Sequence, residues 1–133
     1  MKTILIAYLA AAIAFLIVDA IWLYTMADTL YRPLLGDMLA PQFRLVPAIV
    51  FYLIYIGGIV FFAVVPALEG GGVARAALNG AVLGLVAYAT YDLTNQATLR
   101  DWPLTLTLAD IPWGMFVTAV GASAGFIVSD RLG

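Results

Sequence analysis

The chain contains neither cysteine nor histidine, and only 11% of its 133 residues are charged. Each shortage excludes some chemistry. Without cysteine there is no disulfide framework and no thiol nucleophile. Without histidine there is no imidazole base and no His-ligated haem, and with both missing there is no zinc site of nitrogen and sulfur donors. Six Lys+Arg against eight Asp+Glu leave a net charge of −2 and no electrostatic footprint for nucleic acid. No lysine falls within an apolar run, so a retinal Schiff base is excluded. Gly121-Ala122-Ser123-Ala124-Gly125 has the Gly-x-Ser-x-Gly spelling, but with no histidine in the chain its serine has no imidazole partner to activate it.

What fills the chain is apolar. Hydrophobic residues make up 65% of it, where a soluble domain has about 45–50% apolar and about 25% charged residues. Such a chain is neither an ordinary soluble globule nor a disordered one. Four apolar stretches stand between charges: residues 3–27, 45–68, 76–99 and 104–129. They hold 24 to 26 residues each, about 36–39 Å as helix, against a hydrocarbon core of about 30 Å. They are too long, and lack the alternation, for strands of a membrane barrel. Lys2, the first apolar run and Val18-Asp19-Ala20 loosely resemble a cleavable leader. The run continues as Ile21-Trp22-Leu23, however, and is expected to be a retained span.

The connections are short. Glu69-Gly70-Gly71-Gly72 and Arg100-Asp101-Trp102-Pro103 are turns. The longest link, 28–44, holds Pro33, Gly36 and Pro41 and has room for a surface helix. Short links make sequential helices antiparallel neighbours. The expected fold is an all-α, integral membrane, up-down four-helix bundle, a single transmembrane domain over 1–133. Lys2, Arg75 and Arg131 then lie on one side of the membrane and Arg32, Arg44 and Arg100 on the other, a tie that sets no orientation.

Three aspartates interrupt these runs, and ionisable groups inside a span are functional by default. Asp19 precedes Ala27 by eight residues, about 12 Å of helix. Asp92 precedes Leu99 by seven and Asp110 follows Pro103 by seven, about 10 Å each. In an up-down bundle all three depths are measured from one face, so the carboxylates share a layer. Tyr88, Asp92, Asn95 and Gln96 share one helical stripe. Asp-x-x-Trp occurs twice, as Asp19–Trp22 and Asp110–Trp113, and Tyr24 and Tyr91 stand at a similar height. The set Asp19, Trp22, Tyr88, Asp92, Asn95, Asp110 and Trp113 has the composition of a small-molecule pocket.

At the other end, Gly80-x-x-x-Gly84 and Gly121-x-x-x-Gly125 allow close backbone approach. The expected shape is a cup, with the third and fourth helices pinched together at these glycines and open towards Arg32, Arg44 and Arg100. Competing readings stand beside each feature. The aspartates can pair with Arg44 or Arg100 and only fix helix register. Because Pro112 suits a first helical turn, the fourth helix can start there, leaving Asp110 as an interfacial cap. Trp102 fits the aromatic belt, and Tyr52 and Tyr55 fit packing or hydrogen bonds into the bundle. A divalent cation held by Asp19, Asp92, Asp110 and Asn95 is chemically permitted, but helix-borne carboxylates are a weak signal, and no metal or cofactor is assigned.

The run Tyr91-Asp92-Leu93-Thr94-Asn95-Gln96-Ala97-Thr98-Leu99, followed by Trp102-Pro103 and Asp110-Ile111-Pro112-Trp113-Gly114, resembles a bacterial family of small four-span membrane proteins, domain of unknown function 2177. Asp19-Ala20-Ile21-Trp22-Leu23 resembles its first-span motif. The resemblance covers nearly the whole chain and implies a multi-pass protein of the bacterial inner (cytoplasmic) membrane. It implies no activity. Asp19, Trp22, Asp92, Asn95, Asp110 and Trp113 match its polar motif positions.

Three functions fit these residues. The first is binding or transport of a small amphipathic or lipid-like molecule by the aspartate layer. Proton coupling is an option there, since like charges at one depth oppose joint ionisation. The second is an intramembrane enzyme acting on a lipid or isoprenoid. In it Asp92 is acid or base, Asp19 or Asp110 its partner, Asn95 an orienting group, and a tryptophan face steadies positive charge. The third is a subunit of a larger membrane complex. The glycine stripes also suit a homodimer.

Overall fold

A computed structural model describes residues 1–39 and 44–133 of the chain. Four long apolar helices carry it, each long enough to cross a membrane. We number them α1 (Lys2–Met26), α2 (Leu45–Glu69), α3 (Gly72–Thr98) and α4 (Leu104–Leu132). The all-α bundle expected from hydropathy is the observed fold. Apart from carbonyls freed by proline, each helix satisfies its own backbone, the only arrangement besides a closed barrel that survives in lipid.

The helices are apolar nearly all round. Ile13, Ile21, Ile54, Phe61, Leu78 and Leu108 stand exposed on the outer surface, where a soluble protein would carry charge. What is buried is small or aromatic: Ala7, Ala11, Ala63, Ala76 and Ala122 beside Phe15, Tyr55, Ile56 and Ile59. Lipid offers no hydrophobic drive between helices, so close packing of small residues replaces it.

Helix α4 is the axis of the bundle. Its closest neighbour is α3, then α1, and its buried stripe runs from Leu106 through Asp110, Gly114, Thr118 and Gly121 to Ser129. The seam with α3 is backbone on backbone. A Cβ on Gly84 would collide with the Gly114 carbonyl, and one on Gly80 would meet the Thr118 carbonyl oxygen at 2.9 Å. The ring of Tyr88 lies directly over Gly114. Gly121 and Gly125 do not belong to this seam, contrary to the expected pinch between the third and fourth helices. They face α1, with Gly121 against Phe15, and Gly125 against Ala7, Ala11 and Val64 of α2. Their register faces away from α3, a distinction that i,i+4 spacing alone does not resolve. All five glycines are buried within the chain, so this surface is an intrachain seam.

The helix ends differ from expectation in two places. The first helix does not stop near Ala27. It passes into a π-helical turn at Ala27–Tyr31, a short α segment Arg32–Leu35 and a 3-10 turn Gly36–Met38. The segment expected as a surface helix is thus a continuation of α1; its part around Pro41 lies outside the described residues. The fourth helix begins at Leu104 and runs through Pro112, so Asp110 is a buried helical residue and not a cap.

Proline removes one donor wherever it sits inside a helix. In α2, Pro66 leaves the Phe62 carbonyl without its usual partner, and a π-helical turn at Val60–Val64 precedes it. The Asn79 side chain of α3 donates to that carbonyl at 3.1 Å. The α2–α3 turn uses glycines at positive φ, Gly71 at 98° and Gly72 at 65°, a region costly for other residues.

The seam makes a testable contrast. Gly84→Ala should lower stability by about 1–3 kcal/mol through overpacking. Gly58→Ala meets nothing within 4 Å and should leave stability unchanged or raise it by up to about 1 kcal/mol. Thermal unfolding of the two variants in one detergent checks both.

Candidate functional site

The three aspartates are buried in the structure, Asp19 and Asp110 with 7% of their surface exposed and Asp92 with none. They line one cavity of about 780 Å³ at the end of the bundle that carries Arg32 and Arg100. That is the end expected to be open. Pockets for drug-sized ligands span about 300–1,000 Å³, so a whole small molecule fits. The walls are largely aromatic: Phe51 and Tyr52 from α2, Tyr88 and Tyr91 from α3, Trp102 from the α3–α4 turn, Trp113 from α4. The segment after α1 contributes Tyr31, Arg32, Leu35 and Leu39 to the rim.

Each acid has a different set of partners. Asp19 is held by two neutral donors, the Tyr52 hydroxyl on Oδ2 at 2.7 Å and the Trp113 indole N–H on Oδ1 at 3.2 Å. Asp110 accepts from the Tyr31 hydroxyl at 3.1 Å, and Tyr31 in turn accepts from the Trp22 indole at 2.8 Å. Trp22 also stacks on Trp113, centroids 4.3 Å apart and planes within 10°. The two tryptophans of the repeated Asp-x-x-Trp motif are therefore one stacked pair, and each indole is tied to the acid of the other's helix: Trp113 directly to Asp19, Trp22 through Tyr31 to Asp110.

Asp92 differs from both. Neither of its carboxylate oxygens has a hydrogen-bond partner, and Oε1 of Gln96, one turn further on, is also buried without one. Asp92 and Asp110 face the same cavity from adjacent helices, one turn apart in the register that the Gly84–Gly114 contact sets. With both ionised, each is an acceptor only, and no bond can form between them.

The expected members of the site separate accordingly. Asp19, Tyr88, Asp92, Asp110 and Trp113 line the cavity; Trp22 stands behind Trp113, and Asn95 is not part of the lining. Asp92 and Asp110 flank the α3–α4 seam, and Asp19 is the acid bound to the Trp113 indole. Among the described residues, no group of three acidic side chains converges tightly enough for a metal ion. The pairing with Arg44 or Arg100 does not occur. Among the described residues, the one ion pair is Arg32 with Asp28, on the surface at 2.7 Å. Trp102 is a cavity wall, edge-on to Tyr91 at 5.6 Å and donating to Thr107 at 3.1 Å.

Two side chains that donate to the acids, Tyr52 and Tyr31, were outside the expected set. Tyr52 follows Leu45 by seven residues, about 10 Å of helix, which is the depth of the acids; the same arithmetic applied to polar residues of the second span would have found it. Tyr31 had no such signal, because its segment, with Pro33 and Gly36, has the composition of a loop.

Apolar helices that cross a membrane, around a chamber of aromatic rings and buried acids, define a helical membrane protein with a solute-sized cavity. The chain belongs to the family described as Predicted membrane protein (DUF2177), whose model matches residues 4–127. No curated protein and no solved structure matches it.

Removing a donor from a buried carboxylate costs about 1–3 kcal/mol. Tyr52→Phe takes one of the two donors from Asp19 and should destabilise by that amount. Tyr24→Phe, at a cavity-lining residue 89% exposed, should stay within about 0.5 kcal/mol. Thermal unfolding of the two variants in detergent tests the difference.

Proposed function

We propose that this protein binds or transports a small amphipathic or lipid-like molecule, with its aspartates at a common depth inside the membrane. The observation that carries this reading is the cavity: about 780 Å³ bounded by aromatic rings, with an acidic side chain from each of three helices. Aromatic walls take an apolar body without demanding a fixed shape, and a few convergent polar groups orient it. Tyr24 and Phe51 are both exposed and both line the cavity, which gives an entrance beside the start of α2. The family resemblance supports the cytoplasmic membrane of a bacterium as its location.

All three tryptophans of the chain, Trp22, Trp102 and Trp113, stand at this cavity. Intrinsic fluorescence therefore reports its occupancy. Titrating small amphiphiles into protein held in lipid nanodiscs should shift or quench tryptophan emission in a saturable way. Trp113→Phe should weaken binding by about 1 kcal/mol or more. A panel of cationic, neutral and anionic amphiphiles that leaves the emission unchanged would remove this reading.

One observation favours a second reading, an enzyme acting on a lipid. Asp92 and Asp110 are two carboxyl groups on adjacent helices, one turn apart in register, at the wall of an apolar chamber, and such a pair can divide the roles of acid and base. Comparing lipid extracts of cells with the protein and with its Asp92→Asn variant tests it. An enzyme should change the abundance of at least one lipid species, whereas a binder leaves the composition constant.

A further inference from the structure

Among the described residues, no cation pairs with an acid of the cavity. Asp19, Asp92 and Asp110 line it, while its one basic lining residue, Arg32, is at the exposed rim and bound to Asp28. The donors that reach the acids are the phenols of Tyr31 and Tyr52 and the indole of Trp113. These satisfy lone pairs and cancel no charge. Asp92 has no donor at all, although it is fully buried. A buried polar atom without a partner carries a large cost, and a charged one without a counterion carries more.

Two kinds of guest remove that cost. A single proton between Asp92 and Asp110 turns one acid into a donor and leaves the pair with one negative charge. A protonated amine supplies several N–H donors and a full positive charge, with aromatic faces beside it that attract cations. The two occupants exclude each other, because with the proton in place the pair has only one charge left to offer.

We infer that the ligand is a lipophilic ammonium that keeps at least one N–H, and that its nitrogen replaces a proton shared by Asp92 and Asp110. This inference rests on reading the cavity as an amphiphile site. The exchange balances: one monocation enters, one proton leaves to solvent, and the net charge of the occupied site is unchanged. The apolar body of the ligand lies against Tyr88, Tyr91, Trp102 and Trp113. A quaternary ammonium answers the charge and brings no donor to the unpaired Asp92 oxygens, so it binds more weakly.

The test uses four probes with one naphthylalkyl body: the primary amine, its trimethylammonium form, the alcohol and the carboxylate. Each is titrated into protein in nanodiscs, with tryptophan emission reporting binding and a pH indicator in weak buffer reporting protons. The amine should bind at least about tenfold tighter than the alcohol and release about one proton per molecule bound. The trimethylammonium form should fall between them and the carboxylate should bind least. Asp92→Asn should abolish both the proton release and the preference for the amine. Saturable binding of the alcohol by this variant, at whatever affinity, shows that the cavity is intact.

Alcohol and amine binding equally well would overturn the ammonium inference and leave the amphiphile site standing. Tight amine binding with no proton released would overturn the exchange. Failure of all four probes to bind would overturn the site itself.

Discussion

The contact on which the rest depends is backbone against backbone, Gly84 of α3 on the Gly114 carbonyl of α4. It brings the two helices closer than any side chain allows and fixes their register. In an antiparallel pair, Gly80 then falls beside Thr118, and Tyr88 stands one turn beyond Gly84 with its ring flat on Gly114. Asp110 lies one turn before Gly114, at the height of Tyr88. Asp92 is one turn further towards the open end. Side chains lean towards the N-terminus of their own helix. Asp92 therefore leans inward and Asp110 outward, and the one-turn offset closes. The carboxyl pair follows from a glycine seam two turns away.

The seam also accounts for the shape of the cavity. Below it, Gly121 and Gly125 let α4 approach Phe15, Ala7 and Ala11 of α1, and the lower bundle is filled by alanine, valine and isoleucine. Above it the residues on the same faces are tyrosine, tryptophan and aspartate, which need room. The helices spread where the side chains enlarge, and the phenols and indoles that do the spreading are the donors that hold the acids. Packing and polarity have one origin: the change from glycine to aromatic residues along a stripe of constant phase.

Much of this is legible in the chain. Helix number, the all-α class and the gathering of Asp19, Asp92 and Asp110 at one end of the bundle follow from hydropathy and a rise of 1.5 Å per residue. Three things do not. Register at one-residue resolution decides which neighbour a glycine faces, and Gly121 and Gly125 share their phase with Asp110 yet meet α1. The path of a chain after a helix depends on local hydrogen-bond shifts, so the π turn that carries Tyr31 onwards cannot be read from a stretch with Pro33 and Gly36. Partner choice is the third. Coulomb attraction argues for Arg44 or Arg100 on the acids, yet drawing a guanidinium into the bundle would cost its own desolvation, and Tyr52, Tyr31 and Trp113 reach the carboxylates without it.

That choice of neutral donors has a consequence for what the chamber can hold. Had arginine paired with Asp19 or Asp110, the charges would cancel and the acids would serve only as register pins. Phenol and indole hydrogen bonds orient the carboxylates and leave their field in place, and the apolar walls around them screen it little. A fatty acid or another anionic amphiphile would meet repulsion from every acid of the chamber. A neutral lipid with a hydroxyl would donate a hydrogen bond to Asp92 and cancel none of its charge. Only a guest that carries positive charge, or a proton, both pairs those atoms and answers their charge, and this asymmetry is built from the side chains alone.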